Sequence, residues 1–438
     1  RLAFWLAATG GGFGWLTLTL GHPTADVLQA EIFPFLSVLA NAHFPLASAA
    51  LLWVMDALIT PAGAPLTGRQ AAQLTLGTLL LASTQAYGLV VAGGVAGLWA
   101  VLRWRKERRL PASLVIRLGW VAALAAPFLV YYGLALATNP SYAGWDRQNV
   151  TLSPPVWDYL LAGGLILLLA LVGAVSLKDP KGFKNPSGLG SSPASDLRDD
   201  ANAFLLIIWP VVTAALVYLP VAQQRRFALA AIAPLAVLAV RGLLSLEALA
   251  RYALLRCRVN AEPVTLNVLL RPYHSYRRAV LVGFSALTPL TLLLVTMGAL
   301  NQTPANLFLT QGEWDGLLYL RQVGTARRES VRQTAPSALV LAAPDMGLLI
   351  PAFAGQRVIY GHPVETIQAA ARREEVRRFY MGMDAAEAEA FLKPVDYIFV
   401  GPREKALAGA PVRAPVIPSS YRVSFSEGDV IIYQKQGE

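Results

Sequence analysis

Long apolar runs separated by short polar segments dominate the first 300 residues. A helix crosses the hydrocarbon core of a membrane with about 20 such residues. Suitable segments lie at 2–20, 44–60, 71–103, 114–137, 156–177, 203–219, 227–249 and 279–300. The third is too long for one ordinary span, and we predict a break at residues 83–85 (Ser-Thr-Gln). The pattern therefore predicts eight or nine membrane helices.

After about residue 301 the apolar runs shorten and short strands alternate with helices. The predicted strands are SALVLAAPD (337–345), QRVIYG (356–361), VDYIFVGP (395–402) and a terminal hairpin, YRVSFSEGDVIIYQ (421–434). The predicted helices are GLLIPAFAG, ending at Gly355, ETIQAAARREEVRRFYMGM, and DAAEAEAFLKP, capped by Asp384. We expect a transmembrane helical bundle over 1–300 and a small soluble α/β domain over 301–438.

Composition supports a membrane protein. The chain is 55% hydrophobic and 15% charged, with a mean hydropathy of +0.47. A soluble domain carries more charge than this. The net charge of +10 would favour nucleic acid as a partner of a soluble protein. Here much of that charge lies in short loops between apolar runs, so we predict membrane lipids and no nucleic acid as partners.

The loop charges predict the orientation of the bundle. If RWRKERR (103–109) is cytoplasmic, the inside loops 103–109, 178–202 and 250–278 hold fifteen Lys and Arg, against three in the outside loops. Positive residues concentrate on the cytoplasmic side of membrane proteins. We therefore expect a multi-pass plasma-membrane protein of polytopic α-helical fold, whose C-terminal α/β domain is extracytoplasmic. Residues 178–200 are rich in Pro, Gly and Ser, which predicts a flexible cytoplasmic linker.

Two smaller features complete this picture. The chain begins at Arg1, without methionine, and enters an apolar run at once, so we expect further sequence upstream. Cys257 is the single cysteine and lies between Arg256 and Arg258. No internal disulfide can form, and the flanking charges indicate a cytoplasmic loop.

The loop 21–43 faces outside in this topology and carries Asp26, Glu31 and His43. Carboxylates and imidazoles at a membrane surface can act as general bases or as metal ligands. The alternative is that they are ordinary interfacial residues and that QAEIFPFLSVLA is an amphipathic helix lying on the membrane.

Two adjacent arginines, Arg225 and Arg226, also lie outside, in the stretch YLPVAQQRRFALAAIAPLAVLAVRGL (218–243). We place them at the start of the helix 227–249 and predict that they bind a lipid phosphate together with Gln223. A guanidinium beside a helix N-terminus is suited to binding phosphate, which at this depth belongs to a lipid. The alternative is that both side chains extend to lipid headgroups without a specific ligand.

The soluble domain offers one weaker candidate, GHPVET, in which His362 and Glu365 follow a predicted strand. Polar residues beyond strand ends often line sites in α/β domains. Alternatively, Pro363 starts a helix there and Glu365 lies in its first turn.

Five segments carry a resemblance to a known family: GGGFGWL (10–16), ADVLQAEIFPFLSVLANAHFPLA (25–47), the stretch 218–243, PSALVLAAPDMGLLIPAFAGQRVIYGHPVET (336–366) and VDYIFVGPRE (395–404). They resemble the GT-C class of membrane glycosyltransferases, in the broad group that includes dolichyl-phosphate-mannose mannosyltransferases. It implies transfer of a sugar from a polyprenyl-phosphate donor to an acceptor, neither identified further, at the outer membrane face.

The resemblance also implies an acidic residue in the first extracytoplasmic loop that acts as base or metal ligand. No cofactor follows from the sequence itself, and a divalent metal ion is the one that the family pattern allows. Asp26 and Glu31 are the available carboxylates, and a residue upstream of Arg1 is a third possibility.

Two other hypotheses stay open. One is a transporter or lipid-binding protein with a sensing ectodomain. Transporters place polar groups at mid-membrane, whereas here the polar residues gather at the outer face, which favours surface chemistry. The other is a catalytically incomplete relative of the transferases.

Overall fold

The computed structural model describes residues 1–59, 66–178, 204–257, 276–302, 308–330, 337–408 and 415–436. The chain forms two compact units. The first contains residues 1–135 and 150–296, and the second contains residues 136–149 and 297–438. The predicted linker 178–200 lies outside the described residues, apart from Lys178 at the end of a helix.

The first unit is helical. Its elements are Leu2–Ala8, Gly14–Thr19, Ala25–Leu28, Pro34–Ala40, His43–Ile59, Gly68–Thr84, Tyr87–Glu107, Ala112–Thr138 (which runs on into the second unit), Val156–Lys178, Leu205–Leu216, the 3-10 turn Gln224–Ala228, Ile232–Cys257, Tyr276–Ser285 and Leu287–Asn301 (whose end also belongs to the second unit). Among the described residues, four helices are long and apolar enough to cross a membrane, or five if the last two, bent by 43°, form one span.

The predicted count of eight or nine spans is therefore not confirmed among the described residues. The predicted span 2–20 consists of two short helices separated by Thr9–Phe13. Three consecutive glycines, Gly10–Gly12, account for the break, because glycine has low helix propensity. The predicted break in 71–103 is confirmed, since one helix ends at Thr84 and the next begins at Tyr87.

The helices Val156–Lys178 and Ile232–Cys257 pack closely against each other. Glycines at the crossing permit this approach. A Cβ atom on Gly173 would overlap the Leu238 carbonyl oxygen, and one on Gly242 would overlap the Leu169 carbonyl oxygen. Small residues allow close backbone contact between membrane helices in this way.

The second unit contains a five-stranded sheet. Its strands are β1 (Leu339–Leu341), β2 (Arg357–Val358), β3 (Tyr397–Val400), β4 (Tyr421–Glu427) and β5 (Val430–Lys435), in the order β2-β1-β3-β5-β4. The strands β2, β1 and β3 are parallel, and β5 and β4 complete the sheet as an antiparallel hairpin. All four predicted strand regions therefore contain strands, and the hairpin turns just after Glu427, as predicted.

This unit also contains the helices Pro140–Gln148, Gln311–Ser330, Pro344–Leu349, Ala369–Tyr380, Ala385–Leu392 and Pro402–Ala408. A π-helical turn, Ile350–Ala354, extends the third of these and ends at Gly355, whose φ of 64° suits glycine. Asp384 caps its helix by accepting a hydrogen bond from the Glu387 backbone N–H, as the sequence predicts.

Glu404 joins the ends of two parallel strands in this unit. Its carboxylate is buried and accepts hydrogen bonds from the backbone N–H of Ala343, just after β1, at 2.7 Å and of Gly401, just after β3, at 2.9 Å. Burial disfavours the charged form and raises the pKa of Glu404 to about 7, although the two backbone bonds act in the opposite direction.

Candidate active site

Asp26 connects three parts of the first unit. Its Oδ2 accepts hydrogen bonds from the backbone N–H of Gly12, the backbone N–H of Gly14 and the hydroxyl of Thr288, each at 2.9 Å. Its Oδ1 accepts from the Thr24 hydroxyl at 2.7 Å. The side chain is buried, and these four donors occupy its acceptor sites.

Glu31 follows on the same segment and is also buried, with 3% of its side chain exposed. Its Oε1 lies 3.2 Å from Nε of Arg225. Its backbone carbonyl accepts a hydrogen bond from the N–H of Ala230 at 3.1 Å. Ala230 has a φ of 56°, an unusual value for a residue with a side chain. This strained turn holds the segment of the arginines against the segment that carries Glu31.

Arg225 and Arg226 lie in the 3-10 turn Gln224–Ala228. The α-helix that follows begins at Ile232. The prediction that these arginines stand at the start of a helix is therefore wrong, and no helix dipole assists them. Pro234 near the new helix start fits the preference of proline for the first turn. The arginines rely instead on their own guanidinium groups.

Both arginines have a buried Nε atom that meets no hydrogen-bond acceptor among the described residues. For Arg225 the contact with Glu31 is thus close in distance but not aligned as a hydrogen bond. The Arg226 guanidinium lies over the ring of Tyr87, 5.8 Å from its centroid. Such a contact favours a cation but leaves its N–H groups free to bind an anion.

A second loop fixes the position of this turn. The backbone N–H of Arg225 donates to the Thr151 carbonyl at 3.2 Å, and that of Thr151 donates to the Ala222 carbonyl at 2.7 Å. The Gln224 side chain accepts from the Ser153 N–H at 3.0 Å and donates to the Leu219 carbonyl at 2.7 Å.

Gln223, the predicted partner of the arginines in binding phosphate, immediately precedes the turn. It is half-buried, and its backbone carbonyl accepts from the Arg226 N–H at 3.2 Å. The side chain of the neighbouring Gln224, which we did not predict as a site residue, connects the loop of Ser153 to the segment of Leu219.

Sequence reasoning also missed Asp158 and Tyr159, at the start of the helix Val156–Lys178. Asp158 is buried and accepts from the Ala25 N–H at 2.7 Å. The Tyr159 hydroxyl contacts Ser153 Oγ at 3.2 Å and interacts with the side chain of the buried Gln29. One signal was present: a lone carboxylate in the first turn of a strongly apolar helix is costly unless it has a partner.

The remaining candidates take no part in these contacts. His43 is exposed at the start of the helix His43–Ile59, with its ring against Phe44. In the second unit, His362 and Glu365 are exposed in a turn. The Nδ1 atom of His362 accepts from the backbone N–H of Val364 at 3.1 Å and of Glu365 at 3.2 Å. No helix starts at Pro363, because the next one begins at Ala369.

The site does not fit the divalent metal ion that the family pattern allows. Across the described ranges, no three His, Cys, Asp or Glu side chains gather as metal ligands. The acceptor sites of Asp26 are already occupied by four donors, and Glu31 faces a guanidinium.

Comparison with known proteins adds a distant structural likeness. No family model and no curated protein matches this chain. Among solved structures, the Archaeoglobus fulgidus oligosaccharyltransferase in complex with zinc and sulfate is similar over 82% of this chain and 49% of that chain, with 13% identity and a TM-score of 0.38. This chain thus spans about half the length of that structure. A likeness this low assigns neither residues nor an activity to it.

Proposed function

We propose that this protein is a membrane glycosyltransferase that uses a polyprenyl-phosphate-linked sugar at the site formed by Glu31, Arg225 and Arg226. One observation carries the proposal. Arg225 and Arg226, adjacent in the chain, each keep a buried Nε–H without an acceptor among the described residues, and Arg225 lies beside the buried carboxylate of Glu31. Unpaired buried donors are costly, so a ligand with several acceptor oxygens and negative charge is expected there.

A phosphate ester satisfies both requirements. Arg226 pairs with no carboxylate among the described residues, and the ring of Tyr87 supports its charge. It would take one phosphate oxygen, and Arg225 would take a second. The polyprenyl chain of the donor would lie in the membrane, as the apolar exposed surface of the bundle allows.

Glu31 would then act as the general base. Phosphate bound to Arg225 competes with Glu31 for the guanidinium, which leaves the carboxylate able to accept a proton. It would take that proton from the acceptor hydroxyl as the oxygen attacks the anomeric carbon. The bond between that carbon and the phosphate oxygen breaks, and polyprenyl phosphate leaves with its charge stabilised by the arginines.

Asp26 and Asp158 have a different role in this proposal. Asp26 lies on the segment that carries Glu31 and accepts hydrogen bonds from the backbone N–H groups of Gly12 and Gly14. Asp158 accepts a hydrogen bond from the backbone N–H of Ala25, on the same segment. They would position this segment rather than take the proton. We place the site at the outer face of the plasma membrane and the C-terminal domain on the extracytoplasmic side, because the loop charges favour this orientation.

The first test is binding of polyprenyl phosphate by the detergent-solubilised chain, with polyprenol of the same length as the uncharged reference. Arg226→Ala removes a charge-assisted contact, so we expect roughly tenfold to hundredfold weaker binding of the phosphate and no change for polyprenol. Arg147→Ala, which removes an exposed arginine, is the matched control. Equal affinities of wild type and Arg226→Ala for polyprenyl phosphate would refute the site.

The second arm separates Glu31 from Asp26. With a polyprenyl-phosphate-linked hexose as donor in reconstituted vesicles, Glu31→Gln should lower transfer by about 10²-fold or more and keep phosphate binding. Asp26→Asn should lower the thermal unfolding midpoint, because an amide cannot accept all four bonds. Full transfer by Glu31→Gln would exclude it as the base.

A further inference from the structure

The second unit exposes two aromatic rings that pack against each other. Trp314, on the helix Gln311–Ser330, and Phe353, in the π-helical turn, have ring centroids 5.6 Å apart at an interplanar angle of 74°. They are 38% and 46% exposed. Exposure of large aromatic rings to water is unfavourable, so contact with an apolar or interfacial partner that covers this pair would lower the free energy.

A groove of about 440 Å³ borders this pair and is lined in part by Arg321, Thr325 and Phe353. Arg321 lies seven residues after Trp314, which places both on the same face of their helix. Its side chain is exposed, and no carboxylate in the described part of the chain pairs with it. We call the surface formed by Trp314, Arg321 and Phe353 the aromatic face. It combines two exposed aromatic rings with an exposed arginine that pairs with no carboxylate among the described residues.

The segment between the last long apolar helix and the helix that carries Trp314 is short. The helix Leu287–Asn301 exposes large apolar side chains along its length, including Leu294 and Met297, as a helix in contact with lipid does. Nine residues, 302–310, separate its end from the helix that carries Trp314. Even fully extended they reach only about 30 Å.

We propose that the aromatic face rests on the membrane surface, with the rings of Trp314 and Phe353 at the level of the lipid headgroups and Arg321 against the phosphates of anionic lipids. Tryptophan is enriched at membrane–water interfaces, and each arginine near an anionic surface adds favourable electrostatic energy. This contact requires only that the helices of the chain lie in a membrane, and it does not depend on the transferase reaction.

Spin labelling tests it, because Cys257 is the single cysteine. In a Cys257→Ser chain, a nitroxide at Phe353→Cys is compared with one at Val423→Cys, on β4 of the same unit and 54% exposed. In vesicles of phosphatidylcholine and phosphatidylglycerol, the label at 353 should collide preferentially with oxygen, which dissolves in lipid. The label at 423 should collide preferentially with a water-soluble nickel chelate.

The other outcomes overturn the proposal. Equal access of the nickel chelate to both labels would place the aromatic face in water. Low access of both reagents to the label at 353 would mean that protein covers it. The label at 353 should insert more deeply in vesicles with phosphatidylglycerol than in vesicles of pure phosphatidylcholine, and Arg321→Gln should abolish this difference. If the difference persists in Arg321→Gln, the contact of Arg321 with lipid phosphate is excluded.

Discussion

At the scale of single residues, Glu404 predicts a pH dependence of stability. Its pKa is about 7 in the folded chain and near 4.5 when unfolded, so between these values the folded state binds more protons. The free energy of unfolding of the second unit should therefore fall as pH rises from about 4.5 to about 7, by on the order of 3 kcal/mol, and stay level above. Urea unfolding at pH 5 and pH 8, followed by a dye on Val423→Cys in the Cys257→Ser chain, measures this.

Glu404→Gln is the control for that experiment. The amide oxygen can accept from only one of the N–H groups of Ala343 and Gly401, so the variant should be less stable at pH 5. It cannot titrate, so its stability should change less between pH 5 and pH 8 than that of the wild type. Equal pH dependence in the two chains would show that another group is responsible.

At the scale of elements, local patterns predicted the second unit well and the site less well. The β3 strand, the hairpin and the Asp384 cap follow from alternation and side-chain chemistry within a few residues. The start of the helix after Arg226 does not follow from such local patterns, because a 3-10 turn and Ala230 in a left-handed conformation precede Ile232. That turn is fixed by hydrogen bonds to distant loops, which no local pattern contains.

The same limit applies to the candidate residues. Asp26 and Glu31 are carboxylates five positions apart in one loop and look equivalent in the sequence. Their partners distinguish them: Asp26 meets donors from Gly12, Gly14 and Thr288, whereas Glu31 meets Arg225. Thr288 lies 262 residues away along the chain. Only the folded chain shows this difference in partners, on which the proposed roles of the two carboxylates depend.

The glycine crossing gives a prediction for a helix pair. Gly242→Ala should lower the thermal unfolding midpoint of the detergent-solubilised chain, because its methyl group would overlap the Leu169 carbonyl and force the helices apart. Overpacking of this kind costs about 1–3 kcal/mol. Gly97→Ala, on the helix Tyr87–Glu107 with open space around its Cβ, should leave the midpoint unchanged or raise it. Similar midpoints for Gly242→Ala and wild type would contradict the tight crossing.

At the scale of the whole molecule, the helix Ala112–Thr138 should separate two sides of the membrane. It is long and apolar enough to cross a membrane, and a helix that crosses places its flanking segments in opposite compartments. In a Cys257→Ser chain, Ser141→Cys should react with a membrane-impermeant maleimide in intact cells, and Arg105→Cys only after permeabilisation. The opposite labelling would reverse the orientation that the loop charges predict, and labelling of both in intact cells would exclude this helix as a span.

Ser141 also reports the side of the C-terminal domain. It lies on the helix Pro140–Gln148, whose last residue donates to the carbonyls of Val364 and Thr366 at 2.9 and 2.6 Å and accepts from the Gln368 N–H at 2.9 Å. These bonds join the helix to the C-terminal domain, so both must occupy the same compartment. A label on Val423→Cys should therefore follow Ser141→Cys, and its protection in intact cells would mean that these hydrogen bonds do not form in the membrane.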